Sequence, residues 1–377
     1  MNFRERRFRL AGAGVVLAIL GRASLEGPAL VEWHRTSVLP GVAGILQALS
    51  GVTVANLGEG FVVVLAGVAL ICLFKKRTAA VPALVFSAGL AVFSFYSLWG
   101  LAYRYSSLSA RLAPIPPASD EASTRRFIEL AEGAARLVGH AASGLTHFEG
   151  DAGVVMARIN AGLFEGASRL PRSIDASPIR SVAFGPVKFS RVSFALSRLQ
   201  LSGYYFPWTG EAQINGDMPR TLWPRVAAHE KAHQRGFARE NEATVIGVLT
   251  CLRSNDPRVF YSGTLGLYVN FDRELTRLDR EARARVWAML PARAVADFRN
   301  EAAFWKAHEG VAGAVSEKVN DTYLKTQGIR SGVRSYGETT RLILQAIETG
   351  SLEIAPLLRG TSPVPPEVTA IAPPPIR

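Results

Sequence analysis

One short segment of the chain has the residue types and spacing of a metal-dependent hydrolase. His229 and His233 lie four positions apart, and Glu230 directly follows the first histidine. Pro224 favours the first turn of a helix and Gly236 favours its end, so the spacing predicts a helix with both imidazoles on one face. Two such imidazoles can share one zinc ion, and the adjacent carboxylate can reach a water on that ion. Glu230 is therefore the predicted general base.

A third metal ligand is predicted just after this helix. A second helix is expected over residues 240–253, and a short link would fold it back onto the first. Glu240 and Glu242 both lie in its first turn, and either carboxylate could complete a His-His-Glu site with an open position for water. The prediction favours Glu240. The competing interpretation is a metal-free helix pair with two ordinary histidines.

Other candidate residues have weaker support. Tyr261 could donate a hydrogen bond to an oxyanion, or it could be a core residue. Residues 203–211 could form an edge strand that pairs with an extended substrate, or an aromatic core strand entering a turn. Glu211 and Asn215 could line a cleft or cap that turn. The remaining histidines are interpreted as having no functional partner: His34, His140, His147 and His308.

The elements before residue 105 have a different composition from the rest. The chain has 377 residues with 43 Lys and Arg and 31 Asp and Glu, but residues 1–104 contain only ten of the basic and four of the acidic ones. Long apolar runs with aromatic residues at one end predict three transmembrane helices, at about residues 8–24, 55–74 and 79–103. The first could instead be a signal peptide, although no cleavage site follows it. Residues 36–58 are interpreted as an interfacial or packed connector, with a further span as the alternative.

Charge bias predicts the orientation of these spans. The N-terminal arginines and the basic turn at residues 75–77 belong in the cytoplasm. Three crossings then place the large domain outside the cytoplasm, in a multi-pass protein of the plasma membrane. The predicted organisation is a membrane anchor at 1–104, a metallopeptidase-like domain at 105–355 and a Pro-rich disordered tail at 356–377.

The domain is predicted to be mainly α, a zincin-like α+β fold with a small β element. Helices are expected at residues 119–140, 276–299, 311–324 and 339–349, and alternating apolar residues over 182–201 indicate a strand. The net charge of +12 is not arranged as a basic tract with interleaved aromatics, so nucleic-acid binding is not expected. The two cysteines, Cys72 and Cys251, form no disulfide framework.

Several motifs resemble those of known families. Glu240-x-x-Ala243 is similar to the pattern of membrane-bound gluzincins, in which the first Glu is the metal ligand and the Ala packs beneath it. Thr244 stands where those families carry Asp or Asn. Further motifs lie along the chain: Trp99-Gly-Leu-Ala-Tyr103, Phe206-Pro-Trp-Thr-Gly-Glu211-Ala, residues 229–243, Tyr261-Ser-Gly263, Tyr323-Leu-Lys325 and Gly332-Val-Arg-Ser-Tyr336-Gly.

Over nearly its whole length the chain resembles an uncharacterised bacterial family of three-span membrane proteins with a zinc-metallopeptidase-like C-terminal domain (domain of unknown function 3810). Thr244 and Ala102 each replace an Asn that is usual in that family. The resemblance implies a peptidase-like fold and names no substrate.

The predicted function is hydrolysis of peptide bonds by a membrane-anchored zinc peptidase. The predicted site has Zn²⁺ on His229, His233 and Glu240, with Glu230 and Tyr261 as catalytic residues. The expected partners are the lipid bilayer and a peptide or protein substrate. The alternative is a non-catalytic membrane protein that keeps the metal helix pair as a structural or binding element.

Overall fold

The computed structural model describes residues 3–23, 27–53, 55–75, 77–114, 120–145, 148–172, 174, 177, 185–329, 336–349 and 358. Some of the sequence predictions fall outside these residues. They concern the prolines at 116 and 117, His147, residue 76 of the basic turn, part of the motif at 332–337 and, apart from Leu358, the Pro-rich tail.

The first hundred residues form five helices. They are α1 (Phe3–Ala23), α2 (Pro28–Trp33), α3 (Leu39–Gly51), α4 (Leu57–Lys75) and α5 (Arg77–Leu98), with a π-helical turn at His34–Val38 between α2 and α3. Within the described residues α5 alone is long and apolar enough to cross a membrane, over Val81–Leu98. The α1 helix meets that test only together with α2 and α3, across a bend of 86°, and α4 adds the shorter apolar segment Leu57–Gly67. One candidate membrane helix is therefore present, and the three-span arrangement stays a prediction.

Glycines bring α1 and α5 into close contact. A Cβ atom on Gly14 would lie 2.5 Å from the carbonyl oxygen of Val85, and one on Gly89 would overlap the backbone of Gly14. Small residues at such crossings let two helix backbones approach and gain van der Waals contact where no hydrophobic driving force exists. The contact between α1 and α5 is therefore of the kind that helices form in an apolar surrounding.

The described residues after α5 are mainly helical, with one small sheet. After a 3₁₀ turn at Gly100–Arg104 come α6 (Leu108–Arg111), α7 (Asp120–Ser143), α8 (Ala152–Ser168), β1 (Lys188–Phe189), α9 (Ser193–Arg198), β2 (Gly203–Phe206), β3 (Glu211–Ile214), α10 (Trp223–Gln234), α11 (Glu240–Leu252), α12 (Pro257–Leu278), α13 (Arg280–Ala288), α14 (Ala292–Ala307), α15 (Val311–Thr326) and α16 (Tyr336–Glu348). The prediction of a mainly helical fold with a small β element is confirmed.

Two predicted elements differ from the observed ones. The single helix expected at 276–299 is divided, because the Asp279 side chain accepts a hydrogen bond from the backbone N–H of Ala282 and so starts α13, and Pro291 precedes α14. The strand expected over 182–201 begins outside the described residues, and between residues 185 and 201 only the two residues of β1 are a strand. Residues 193–198 form a helix in which Phe194 is exposed, so the alternating apolar pattern did not mark a buried sheet face.

The sheet has the order β1-β3-β2, which places β2 at an edge. The β2 strand pairs antiparallel with β3, with Tyr204 opposite Gln213, and β1 pairs parallel with β3. Helix α11 lies on the other side of the core. Its side chains are buried on almost every face, because α10, α12 and α16 pack around it. Gly247 in α11 lies against α10, where a Cβ atom would come 3.0 Å from the backbone nitrogen of His229. This close approach brings the first turn of α11 beside the predicted metal helix.

The connector segment packs on the domain along one side of α3. Leu39, Ala43 and Gln47 are buried there, and the Gln47 amide donates a hydrogen bond to the Gln234 carbonyl oxygen at the end of α10 (3.5 Å). The opposite side of α3 exposes apolar residues such as Ile45. The α3 helix therefore has one face on protein and one apolar face directed outwards, and both the packed connector and the further span stay predictions.

Candidate metal centre

Three side chains converge where α10 meets the start of α11. The Nε2 atom of His229 lies 3.1 Å from Nε2 of His233 and 3.1 Å from Oε2 of Glu240. The Nε2 atom of His233 lies 3.6 Å from Oε1 of Glu240. All three ligand atoms are within 4.8 Å of one another, and among the described residues this is the group of His, Cys, Asp and Glu side chains that could hold a metal ion. The predicted His-His-Glu set is thus brought together.

The far side of each imidazole is hydrogen-bonded so that its Nε2 lone pair points to the centre of the group. His233 donates from Nδ1 to the carbonyl oxygen of Phe237 (2.8 Å). The Thr244 hydroxyl donates to the Glu240 carbonyl oxygen (2.8 Å), so its own oxygen accepts from Nδ1 of His229 (3.3 Å). Both tautomers therefore suit metal binding, and such outer hydrogen bonds orient a metal-binding imidazole. Thr244 thus contacts the His229 imidazole from the position where the families that the chain resembles carry Asp or Asn.

The two competing glutamates of α11 point in different directions. Glu242 is buried and accepts hydrogen bonds from the backbone N–H of Leu108 (2.9 Å) and from Arg239 (3.1 Å). Its carboxylate is therefore occupied by structural partners, whereas that of Glu240 faces both imidazoles. The structure distinguishes two alternatives that the sequence left open.

The electrostatics of the group are those of a preformed cation site. Burial would raise the pKa of Glu240, but the neighbouring His233 and His229 outweigh it and hold that pKa well below its usual value. Burial would likewise lower the pKa of His233, yet Glu240 reverses this and raises it to about 9. The buried carboxylate thus stabilises positive charge at this point, and a divalent cation can replace the proton.

Glu230 lies beside the group without a partner of its own. It is 4% exposed, and within the described part of the chain no group donates a hydrogen bond to its carboxylate. Gly203 of β2 lies close against it, since a Cβ atom there would come 2.9 Å from Oε1 of Glu230. Burial raises the pKa of Glu230, while His229 and His233 oppose that shift. A carboxylate so placed can accept a proton from a water in the cavity.

These residues line a cavity of about 1210 Å³, the metal cavity. The edge strand β2 and helix α15 contribute two of its walls, and Trp99, Tyr103 and Tyr323 contribute a third. This volume exceeds the range of about 300–1,000 Å³ that is usual for small-molecule pockets. The space suits an extended polymer more than a small ligand.

An aromatic wall, which the sequence did not predict as part of the site, borders the histidines. The ring of Trp99 meets His233 edge-on at 6.0 Å and Tyr205 at 4.8 Å between centroids. Tyr323 donates to the Tyr103 hydroxyl (3.1 Å), and burial, Tyr323 and Glu240 hold the pKa of Tyr103 well above its usual value. Trp99 and Tyr103 belong to a motif that had been noted, but nothing in the sequence tied it to the histidines.

The structure does not bring Tyr261 to this site. Its hydroxyl donates to Asp297 (2.7 Å) on α14, its side chain is buried, and it does not line the metal cavity. Asn215 bonds to Ser197 and to its own turn. His34 is hydrogen-bonded to the Tyr105 hydroxyl (2.7 Å), His308 is half-buried and hydrogen-bonded to the Phe304 carbonyl oxygen (2.8 Å), and His140 is exposed. None of these three histidines lines the metal cavity.

Glu211 is a structural residue. Its carboxylate accepts from Lys188 (2.6 Å), from the Thr209 hydroxyl (2.8 Å) and from the backbone N–H groups of Leu57 (3.1 Å) and Gly58 (2.6 Å). It therefore holds the first turn of α4 against the sheet. A negative charge at this place also stabilises α4, because it lies at the positive end of the helix dipole.

Comparison with known families identifies the group to which the chain belongs. A family model described as a protein of unknown function (DUF3810) matches residues 35–344, and the chain is a member of that family. No curated protein and no solved structure matches the chain.

Proposed function

We propose that this chain is a membrane-anchored, zinc-dependent peptidase of the gluzincin type. One observation carries the proposal. His229, His233 and Glu240 bring three ligand atoms together in the wall of a large cavity, and Glu230 lies beside them without a hydrogen-bond partner among the described residues. Structural zinc sites are closed by four protein ligands and need neither a spare carboxylate nor an open cavity.

The donor set fits Zn²⁺ better than the other common metals. Two neutral imidazoles and one carboxylate are the ligands of many catalytic zinc sites, whereas Mg²⁺ and Ca²⁺ prefer oxygen alone. The tautomers fixed by Phe237 and Thr244 support this assignment. Zn²⁺ bound there would lower the pKa of a water to about 7 and polarise a substrate carbonyl.

Different residues of the protein then carry out the separate steps of hydrolysis. Glu230 removes the proton from the attacking water as the new C–O bond forms, and passes it to the nitrogen as the C–N bond breaks. Tyr103 replaces Tyr261 as the proposed hydrogen-bond donor to the oxyanion. Its oxygen accepts from Tyr323, no acceptor for its own proton lies among the described residues, and its raised pKa keeps that proton in place.

Two features support a protein substrate near a membrane. The β2 strand lies at the sheet edge in the cavity wall, where an extended peptide can pair with it. The end of α5 also contacts the domain close to the cavity, since Trp208 donates to the Ser94 hydroxyl (2.9 Å) and Phe95 packs on Tyr323. The charge bias of the first hundred residues supports a bacterial inner-membrane location with the domain outside the cytoplasm.

The test is zinc content and peptide turnover of the full-length chain in lipid nanodiscs. We expect one zinc per chain in the wild type and in Glu230→Gln, with turnover of unfolded casein lost only in Glu230→Gln. Glu281→Gln on the exposed start of α13 is the matched control and should behave as wild type. Equal zinc with no turnover in either protein would overturn the peptidase proposal and favour a non-catalytic metal element.

A further inference from the structure

A second cavity, the side cavity, opens behind His229. It has a volume of about 250 Å³ and shares His229 and Ser202 with the metal cavity. Thr244, whose hydroxyl meets Nδ1 of His229, also lines it. The two cavities therefore share the His229 imidazole, whose Nε2 faces Glu240 and His233 in the metal cavity and whose Nδ1 meets a residue that lines the side cavity.

Arginines dominate the charge of the side cavity. Arg225 and Arg273 both line it, with Glu301 as the one acidic residue among its described lining. Glu301 accepts from Nη2 of Arg225 (2.6 Å), but Nη1 of Arg225 is buried and has no hydrogen-bond partner there. Arg273 is exposed and forms no ion pair within the described residues. The side cavity thus has more positively charged hydrogen-bond donors than carboxylates that could accept from them.

The metal cavity has the opposite character. The charged residues among its described lining are the carboxylates of Glu230, Glu240, Glu309 and Glu317, without any Lys or Arg. The negative charge of these carboxylates repels an acidic group of a substrate. A metal ion would compensate that negative charge only near the histidines. The side cavity is the favourable place for such a group, and its apolar neighbours Val248 and Trp305 lower the local dielectric and strengthen the attraction.

We infer that the side cavity binds a carboxylate of the substrate beside the bond that is cut. Arg225 and Arg273 are the residues that recognise it, as specificity residues that do not take part in the chemistry. This inference rests on the proposed peptidase function. The carboxylate comes either from an acidic side chain or from the C-terminus of the substrate, and both chemistries make the same charge-assisted hydrogen bonds.

Binding can be measured apart from turnover. Full-length Glu230→Gln protein loaded with Zn²⁺ is titrated with three peptides of equal length. One has blocked ends and a central Glu, one has blocked ends and a central Gln, and one has the central Gln with a free C-terminus. A carboxylate that reaches the arginines should bind about tenfold more tightly than the blocked Gln peptide, as expected for a charge-assisted contact. Which of the two carboxylate peptides gains identifies its source.

Three variants on the same background test the residues. Arg273→Gln should bring the affinity ratio close to one, and Glu301→Gln should increase it because Arg225 is released from its partner. Arg277→Gln removes the same charge from the same helix at an exposed position outside the cavity, and should keep the wild-type ratio. Arg273 is exposed, so Arg273→Gln does not endanger folding. Glu301 is half-buried and its change removes the ion-pair partner of Arg225, so the thermal unfolding of Glu301→Gln is measured beside its binding.

The outcomes separate the two proposals. Equal binding of all three peptides, or a ratio unchanged by Arg273→Gln, would overturn the carboxylate site. Turnover by the wild type without any acidic preference would leave the peptidase and remove this inference. Preferential binding without turnover by the wild type would overturn the peptidase proposal and leave a carboxylate-binding site without a bond that is cut beside it. If no peptide binds while the wild type still turns over casein, the carboxylate site fails and the peptidase stands.

Discussion

Glu211 and Glu230 are both almost fully buried carboxylates, at 1% and 4% exposure, and they differ in what surrounds them. Glu211, at the junction of the sheet with α4, is bonded to Lys188 and to the first backbone N–H groups of that helix. Glu230, in the metal cavity, has no such partner within the described residues. Burial therefore does not distinguish the carboxylate that we propose as catalytic from the structural one.

The pKa shifts of the two residues have opposite signs. Burial favours the neutral acid in both. At Glu211 the Lys188 ammonium and the N–H groups outweigh burial and lower the pKa, while at Glu230 burial prevails and raises it. A buried carboxylate without partners is costly to the fold, so its presence in a cavity is a mark of function.

The largest expected effect separates these two residues directly. Glu230→Gln should lower turnover about 10²–10⁴-fold and leave the melting temperature unchanged or higher. Glu211→Gln should instead lower the free energy of unfolding by about 3–5 kcal/mol, because it leaves Lys188 buried without its ion-pair partner. Thermal unfolding and turnover are measured for both variants. The comparison fails if Glu230→Gln lowers the free energy of unfolding as strongly as Glu211→Gln.

The second prediction compares two tyrosines. Tyr103→Phe should lower kcat about 10²–10³-fold with little change in KM or zinc content, as for loss of an oxyanion donor. Tyr261→Phe should lose stability, because its hydrogen bond to Asp297 is removed, and should keep kcat within a few fold. A larger loss of kcat in Tyr261→Phe would restore the sequence-based assignment.

A smaller effect is expected at the outer hydrogen bond of the metal site. Thr244→Val keeps the shape of the side chain but removes the acceptor for His229, and should weaken zinc affinity about 10–100-fold. Thr264→Val on α12 also removes a buried hydroxyl, one that bonds only to the Tyr261 carbonyl oxygen, and serves as the control. Competition with a chelator measures the zinc affinity of both variants. Equal zinc affinities would show that Thr244 does not orient the imidazole.

The smallest effect is a pH dependence. The folded-state pKa of Glu211 lies below its unfolded value, so its contribution to stability is present above about pH 4.3 and is lost as the pH falls through the folded-state pKa. Melting temperatures of the wild type should therefore fall on acidification below that pH, and more steeply than those of Glu211→Gln. Parallel curves would indicate that Glu211 carries no pH-linked stability.

The sequence predicted what depends on local spacing. The two imidazoles share a helix face because they are four residues apart, and Pro224 and Gly236 marked the limits of that helix closely. Helix α12 was not predicted, although Asp256 and Pro257 are a recognisable start and the Asp256 carboxylate accepts from the N–H groups of the first turn.

Long-range contacts were beyond the sequence. The choice between Glu240 and Glu242 depends on Leu108, which is 134 positions from Glu242. The aromatic wall likewise depends on Trp99 and Tyr103 meeting residues that are distant in the chain. No local pattern reports such contacts, because packing of separate helices decides them.

Trp99 follows the last residue of α5 and rests against His233. A helix in a bilayer adjusts its tilt to the thickness of the lipid hydrocarbon. We therefore expect the length of the surrounding acyl chains to alter the position of the indole, and with it how firmly the imidazole is held. Reconstitution in short-chain and long-chain phosphatidylcholine should then give different rates of metal loss from the same protein.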